Sequence, residues 1–169
     1  MTRTLVISDI HGCYDEFMNL LEVVKYQQGV DELILLGDYV DRGFKSKEVL
    51  EFIREIKDVE NVHVLLGNHD YEFMELLKTH HRIYNQSFFN DDSLYRYIRS
   101  FNHWLYNWGG KNTLQSFIDD DSTIIDYTDG LKLMMHILSN YRWAIKLIND
   151  MDYYYEDSNH IYVHAGVEP

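Results

Sequence analysis

Cysteine and positive charge are scarce in this sequence, and long apolar runs are missing. The single cysteine, Cys13, excludes an internal disulfide within these 169 residues, and nothing in the cysteine content points to an oxidising compartment. The formal net charge of −13 disfavours a nucleic acid polymer as the partner, because such proteins carry basic patches. No run approaches the ~20 apolar residues that span a bilayer, and no signal segment precedes the first predicted strand. We therefore expect a soluble cytoplasmic protein that binds neither membranes nor nucleic acid polymers.

Hydrophobic residues make up 46% of the chain, enough for one compact domain over residues 1–169. Strand-like apolar runs alternate with helical patterns over the first 66 residues, which is typical of a parallel α/β sheet. The apolar spacing predicts a helix from Tyr14 to Gln28 and a second helix that Ser46 caps. After His69 the pattern is helical, which we interpret as an insertion into the sheet pattern. Two apolar runs near the C-terminus, ending at Tyr155 and Val163, predict a hairpin. The predicted fold class is α/β.

Four short apolar runs each end at residues that commonly bind metal ions. They lead to Asp9 and His11, to Asp38, to Asn68 and to His164. Because the carboxyl ends of parallel strands meet at one edge of a sheet, we expect these side chains to converge. The acid excess fits this prediction, since carboxylates gathered in one cleft repel each other unless cations neutralise them. A soluble acidic surface also accounts for most of the other acids.

The segment Gly37–Gly43 places two carboxylates and a guanidinium directly after a buried apolar run. Asp38 comes first and lies at the predicted rim of the sheet, where ligands collect in open α/β proteins. Taken alone, a solvated turn rich in Asp and Gly would explain this segment equally well.

Two divalent ions ~3.5–4 Å apart that share one ligand are the requirement for metal-assisted phosphoester hydrolysis. The sequence offers such a set. We predict that Asp9 and His11 hold one ion, that Asn68 and His164 hold the other, and that Asp38 bridges them.

His69 directly follows Asn68, so its imidazole is expected to point away from the metal while it stays in the same cleft. An imidazole suits a general acid, because its pKa lies near the working pH. Asp41 is predicted to accept a hydrogen bond from the other ring nitrogen, and Arg42 to bind phosphate oxygens. Alone, His69 would be read as a turn histidine and Arg42 as a surface cation.

The four motifs occur in a fixed order: D-x-H-G at Asp9–Gly12, G-D-x-x-D-R-G at Gly37–Gly43, G-N-H-D at Gly67–Asp70 and H-A-G at His164–Gly166. In this order they resemble the metallophosphoesterases, specifically the bacterial members of the phosphoprotein phosphatase branch. The resemblance implies a central β-sandwich flanked by helices. It also implies two divalent ions, Mn²⁺ first and otherwise Fe, Zn, Ni or Mg, with a phosphorylated protein or a nucleotide as substrate.

Ser/Thr protein phosphatase is the first functional interpretation, and symmetrical bis(5'-nucleosyl)-tetraphosphatase is the alternative. Asp70 stands where protein phosphatases more often have Glu, which leans toward the dinucleotide hydrolases, and Phe44 replaces a usual Pro. The sequence stops at Pro169 without the family's next Arg and Gly-His segment. A third interpretation is therefore a truncated, inactive fragment that binds metal or a partner. It would carry a weakened second ion and would self-associate through an exposed sheet edge.

Overall fold

The computed structural model describes residues 3–85, 91–118 and 126–166. It confirms the α/β class, with helices packed around two small sheets. Strands β1 (Thr4–Ile7), β2 (Glu32–Leu35) and β3 (Val62–Val64) form a parallel sheet in that order. Helices α1 (Tyr14–Val23) and α2 (Ser46–Ile56) connect these strands. This part of the fold has the predicted alternation of strands and helices.

The middle strand, β2, is the centre of the core. Leu33, Ile34 and Leu35 have no exposed surface, and burying an aliphatic side chain of this size contributes roughly 1.5–3 kcal/mol. In register, Leu33 pairs with Leu5 on one side and with Val62 on the other. The buried strand delivers the segment that follows it to the carboxyl edge of the sheet.

Helix α1 is shorter than the sequence predicts. It ends at Val23 instead of Gln28, and Lys25 has a left-handed backbone with φ 54°. Arg3 explains the early end, because its guanidinium donates hydrogen bonds to the carbonyls of Val24 (2.8 Å) and Lys25 (3.1 Å) and pairs with Asp31. These bonds satisfy carbonyls that would otherwise continue the helix.

Ser46 does not cap α2, so that prediction is wrong. The N-cap residue is Lys45, which makes no side-chain capping bond, and Ser46 is the first helical residue. The Ser46 hydroxyl is buried and lies 3.2 Å from the hydroxyl of Thr113. A tertiary contact therefore outcompetes the local cap at this position.

The predicted hairpin is confirmed, but its place in the fold differs from the prediction. Strands β4 (Tyr154–Glu156) and β5 (Ile161–Val163) pair antiparallel in a separate two-stranded sheet. The idea of four parallel strand ends side by side is therefore wrong for the fourth run. Asp152 links the hairpin to the end of β3, since its carbonyl accepts from the amide of Leu66 at 2.7 Å.

The predicted helical insertion after β3 is confirmed. It contains α3 (Asn68–Asn85), α4 (Asp91–His103), a π-helix (Trp104–Trp108), α5 (Gly110–Ser116), α6 (Tyr127–Asn140) and α7 (Arg142–Asn149). Its core is aromatic: Trp104 stacks on Phe73 with 5.6 Å between ring centres, and Phe101 packs beside it. Among the described residues, no helix combines the length and apolar character needed to cross a bilayer.

Candidate metal centre

The loops after β1 and β2 have an unusual backbone. Left-handed φ angles occur at Asp9 (53°), His11 (46°), Asp38 (59°), Asp41 (72°) and Arg42 (64°). Such conformations cost of order 1 kcal/mol or more each for residues with a side chain, and they concentrate at functional sites. Five of the residues that the sequence singles out for chemistry thus have a strained backbone.

Glycines allow these loops to touch. A Cβ on Gly67 would lie 2.2 Å from the backbone nitrogen of Asp38 and 2.3 Å from its Oδ1, and a Cβ on Gly37 would lie 2.4 Å from the nitrogen of Gly67. No side chain fits in either place. The amide of His11 also donates to the carbonyl of Asp38 at 2.8 Å, which joins the first loop to the second.

Asp70 holds the second loop from beneath. Its fully buried carboxylate accepts hydrogen bonds from the backbone amides of Asp38 (2.8 Å), Tyr39 (2.9 Å) and Gly67 (3.1 Å). Burial raises the pKa of Asp70 to about 7, while these amides lower it and the nearby Asp38 adds repulsion. In the sequence, Asp70 stands out only as a departure from Glu, and this positioning role was not predicted.

The two oxygens of Asp38 face two different histidines. Oδ2 lies 3.5 Å from Nε2 of His11, and Oδ1 lies 3.4 Å from Nε2 of His164. Two ligand atoms that each lie about 2.1 Å from one ion are roughly 3–3.4 Å apart. Each oxygen of Asp38 therefore lies close to the spacing at which it and its neighbouring histidine could hold one ion.

The tautomers of both histidines suit metal binding. Nδ1 of His11 donates to the carbonyl of Val40 (2.8 Å), and Nδ1 of His164 donates to the carbonyl of Leu36 (3.1 Å). Nε2 is then left with its lone pair, the usual arrangement for a metal-ligating imidazole. Nε2 of His11 is buried and has no hydrogen-bond partner within the described part of the chain. An ion would satisfy this atom, so the residues present fit a metal.

Asp9 and Asn68 complete the cluster of predicted ligands. Oδ1 of Asp9 lies 3.8 Å from Nε2 of His11, and Oδ1 of Asn68 lies 3.0 Å from Nε2 of His164. Ligand atoms of Asp9, Asp38 and His164 also lie within 4.8 Å of one another. The structure therefore brings together all five residues, and it places Asp9 within reach of both histidines.

His69 forms the predicted pair with Asp41. Its Nδ1 donates to Oδ2 of Asp41 at 2.7 Å, and its Nε2 lies 3.5 Å from Nη2 of Arg42. Ligand atoms of His69, His11 and Asp38 also lie within 4.8 Å of one another, so distance alone allows His69 as a ligand.

Asp41 is enclosed by donors from the helical insertion. Its fully buried carboxylate accepts hydrogen bonds from Nε1 of Trp104 (2.9 Å) and from the hydroxyl of Thr113 (2.7 Å), besides that from His69. Burial raises the pKa of Asp41, and these hydrogen bonds act against that rise. The side chain of Trp108 packs on His69 with 4.5 Å between ring centres.

Sequence reasoning missed Trp104, Thr113 and Trp108 as site residues. The available signal was the pair of glycines, Gly109 and Gly110, directly after Trp108. Gly109 has φ 91°, and a Cβ there would lie 2.4 Å from the nitrogen of Arg42. A glycine pair at the end of an aromatic helix thus marks a close contact with the site loop.

The geometry of the cluster fits a metal centre, and a profile of the calcineurin-like phosphoesterase family matches residues 2–166. The chain therefore belongs to this family. Among curated proteins, it is similar to the symmetrical bis(5'-nucleosyl)-tetraphosphatases of Buchnera aphidicola subsp. Baizongia pistaciae (48% identity over 73 residues, 43% of this chain and 26% of the relative) and Psychromonas ingrahamii (39% over 82 residues, 48% and 28%). The alignments thus cover less than a third of these relatives.

Among solved structures, the metallophosphoesterase from Sphaerobacter thermophilus is similar, with a TM-score of 0.47 and 16% identity. The match covers 95% of this chain and 45% of that one. A similarity at this level supports no conclusion about function.

Proposed function

We propose that this chain is a metal-dependent phosphoester hydrolase that cleaves dinucleoside polyphosphates symmetrically. The observation that carries the hydrolase proposal is the carboxylate of Asp38, whose two oxygens face His11 and His164 beside the buried His69–Asp41 pair. The nucleotide substrate rests on the curated relatives, which are named as symmetrical bis(5'-nucleosyl)-tetraphosphatases. Their names favour this substrate over the phosphoprotein expected first from the sequence.

The proposed ligands are the five clustered side chains, Asp9, His11, Asp38, Asn68 and His164. Divalent ions bound by such a set acidify water and neutralise charge that develops on phosphate oxygens. Oxygen and imidazole ligands together suit Mn²⁺, Fe or Zn, and Mn²⁺ stays our prediction. The chain's contribution is to hold the ligands in place through the carbonyls of Val40 and Leu36.

His69 is the proposed general acid. A water molecule attacks phosphorus and releases a proton to solvent, the bond from phosphorus to the departing oxygen breaks, and Nε2 of His69 gives its proton to that oxygen. Asp41 stabilises the imidazolium form through the 2.7 Å hydrogen bond to Nδ1. The fully buried carboxylate also fixes the ring orientation, so the proton is held at Nε2, on the side of the substrate.

Arg42 is the proposed phosphate-binding residue. Its side chain is exposed and makes no ion pair with any acid in the described segments, although its Nη2 lies near His69. A guanidinium fork that is not already paired can take two phosphate oxygens at once. Asn68 is proposed to contact the substrate as well as the ion.

The test is product analysis with purified chain and Mn²⁺ on diadenosine tetraphosphate and on a phosphoserine peptide. We expect two molecules of ADP from each dinucleotide, loss of turnover with a chelator and its return with Mn²⁺. ATP with AMP as products, or preferred hydrolysis of the phosphopeptide, would contradict the proposed substrate. No turnover of either substrate, with metal bound, would favour the inactive-fragment alternative instead.

A further inference from the structure

A cavity of about 790 Å³ lies beside the catalytic pair, between α3, α4 and the π-helix. We call it the α4 cavity, and its lining includes Glu72, Arg96, Arg99, His103, Tyr106 and Trp108. We propose that the α4 cavity binds the nucleoside diphosphate that departs on hydrolysis, an inference that rests on the proposed function. Its volume lies within the range of about 300–1,000 Å³ that is usual for small-molecule sites.

The position of the cavity relative to His69 indicates which half of the substrate would lie in it. A general acid must reach the departing oxygen, so the leaving group lies on its side of the phosphorus. Trp108 packs on His69 with 4.5 Å between ring centres and also lines the α4 cavity. The half of the substrate that receives the proton from His69 is thereby directed toward this cavity.

The cavity carries unpaired positive charge in an acidic chain. Arg96 and Arg99 lie three residues apart on α4, which places both on one face of the helix. Neither arginine forms an ion pair or a hydrogen bond within residues 3–85, 91–118 and 126–166. Two free guanidiniums match the oxygens of a diphosphate, which accept paired hydrogen bonds.

The remaining wall suits a nucleoside. Trp108 is half-buried, His103 meets it edge-on at 5.9 Å, and Tyr106 is largely exposed. Aromatic faces of this kind stack on bases of any sequence. Among the described residues that line the cavity, Glu72 is the one acid, and its carboxylate offers an acceptor for ribose hydroxyls, as acidic residues do in dinucleotide sites.

The π-helix is the element that joins the cavity to the catalytic pair. It turns Trp104 inward to Asp41 and sets Trp108 between His69 and the cavity. Short π-helical turns are rare and frequently occur at functional sites, where they re-aim side chains. Trp108 therefore belongs both to the cavity wall and to the contact with His69.

The experiment is calorimetric titration of ADP into the 169-residue chain in excess chelator, so that ADP cannot bind through a metal ion. The double variant Arg96→Ala/Arg99→Ala is compared with Lys132→Ala/Lys146→Ala, which removes the same charge from two exposed residues on α6 and α7. We expect the arginine variant to bind ADP at least about tenfold more weakly, and the lysine variant to bind it as the unmodified chain does.

Titrations with adenosine and with pyrophosphate test the nucleoside and diphosphate parts of the cavity separately. Trp108→Ala should weaken adenosine binding, whereas the arginine variant should weaken pyrophosphate binding more than adenosine binding. Equal ADP affinity in the arginine variant and the unmodified chain, or equal losses in both double variants, would overturn the inference. Because the titration needs no turnover, this outcome is distinct from a failure to hydrolyse diadenosine tetraphosphate, which would overturn the proposed function. Circular dichroism confirms that each variant is folded.

Discussion

The two halves of the candidate site are held in different ways. In the metal half, formed by Asp9, His11, Asp38, Asn68 and His164, backbone carbonyls of the second loop and the buried Asp70 carboxylate position the ligands. In the acid half, formed by His69 and Asp41, side chains of the helical insertion do so. The side chains that support the acid half lie on the π-helix and α5 and form no hydrogen bond with the five ligands in the described segments, so single substitutions there should affect the acid half alone.

The largest expected effect is in the metal half, at the bridge. Asp38→Asn keeps the size of the side chain but removes the charge that faces both His11 and His164. Both ions should bind more weakly, and turnover should fall roughly 10⁴-fold, since metal ions supply several kcal/mol of transition-state stabilisation. Elemental analysis of the purified chain and a rate assay measure the two effects.

The matched control for the bridge is Asp129→Asn, an acid on α6 that pairs with Lys132. This variant should retain the metal content and rate of the unmodified chain. Unchanged metal content in Asp38→Asn would show that the bridging assignment is wrong.

The next effect is in the acid half. His69→Asn should lower turnover by ~10²–10⁴ because it removes a proton donor, while metal content stays nearly intact. His81→Asn, an exposed histidine later on the same helix, is the control and should change neither quantity. A variant at position 69 that loses its metal would instead place His69 among the ligands, as its distance from His11 and Asp38 allows.

A smaller effect is expected at the support of the acid half. Trp104→Phe removes the indole donor to Asp41 but retains an aromatic ring in the core. Turnover should fall about tenfold, because a hydrogen bond to a charged group contributes on the order of 1.5–3 kcal/mol, and metal content should not change. Trp143→Phe is the control, because it makes the same substitution at a tryptophan that lies away from the site, beside Arg54. Loss of metal in Trp104→Phe would contradict the separation of the two halves.

The sequence predicted that the five side chains of the metal half would lie together, because the information for this is local. Each predicted ligand follows an apolar run by a few residues, and Asp38 and Asp41 share one seven-residue segment. The run before His164 predicted a strand correctly but not its partner, because an apolar pattern records burial and not pairing. The ligand still reaches the cluster, from the second sheet.

The residues that support the acid half could not be predicted from the sequence, because the information for them is not local. Trp104 is 63 residues from Asp41 and Thr113 is 72 residues away. Helical spacing assigns Trp104 to the core, which is right for its ring, but no local pattern tells where its N–H points. Side-chain support across such a distance is a property of packing, so only the assembled structure reveals it.

The smallest expected effect concerns how the stability of the helical insertion, compared with that of the sheet, depends on pH. His80 on α3 is buried, and its Nδ1 lies 2.7 Å from the hydroxyl of Tyr97 on α4. Burial lowers the pKa of His80 below its ordinary value of 6.5. At position 80 the unfolded chain then binds a proton more readily than the folded chain does. The contribution of neutral His80 to the free energy of unfolding is therefore fully present above pH 6.5 and is lost as pH falls through the folded-state pKa.

The urea midpoint of the metal-free chain should therefore fall between pH 7 and pH 5, and His80→Gln should reduce that fall. His136→Gln, on the exposed side of α6, serves as the control and should leave the pH dependence as it is. Indole fluorescence reports on the insertion, so unfolding followed by this signal should show the fall in urea midpoint at acid pH. An equal fall in His80→Gln and the unmodified chain would show that another group sets the acid sensitivity of the helical part.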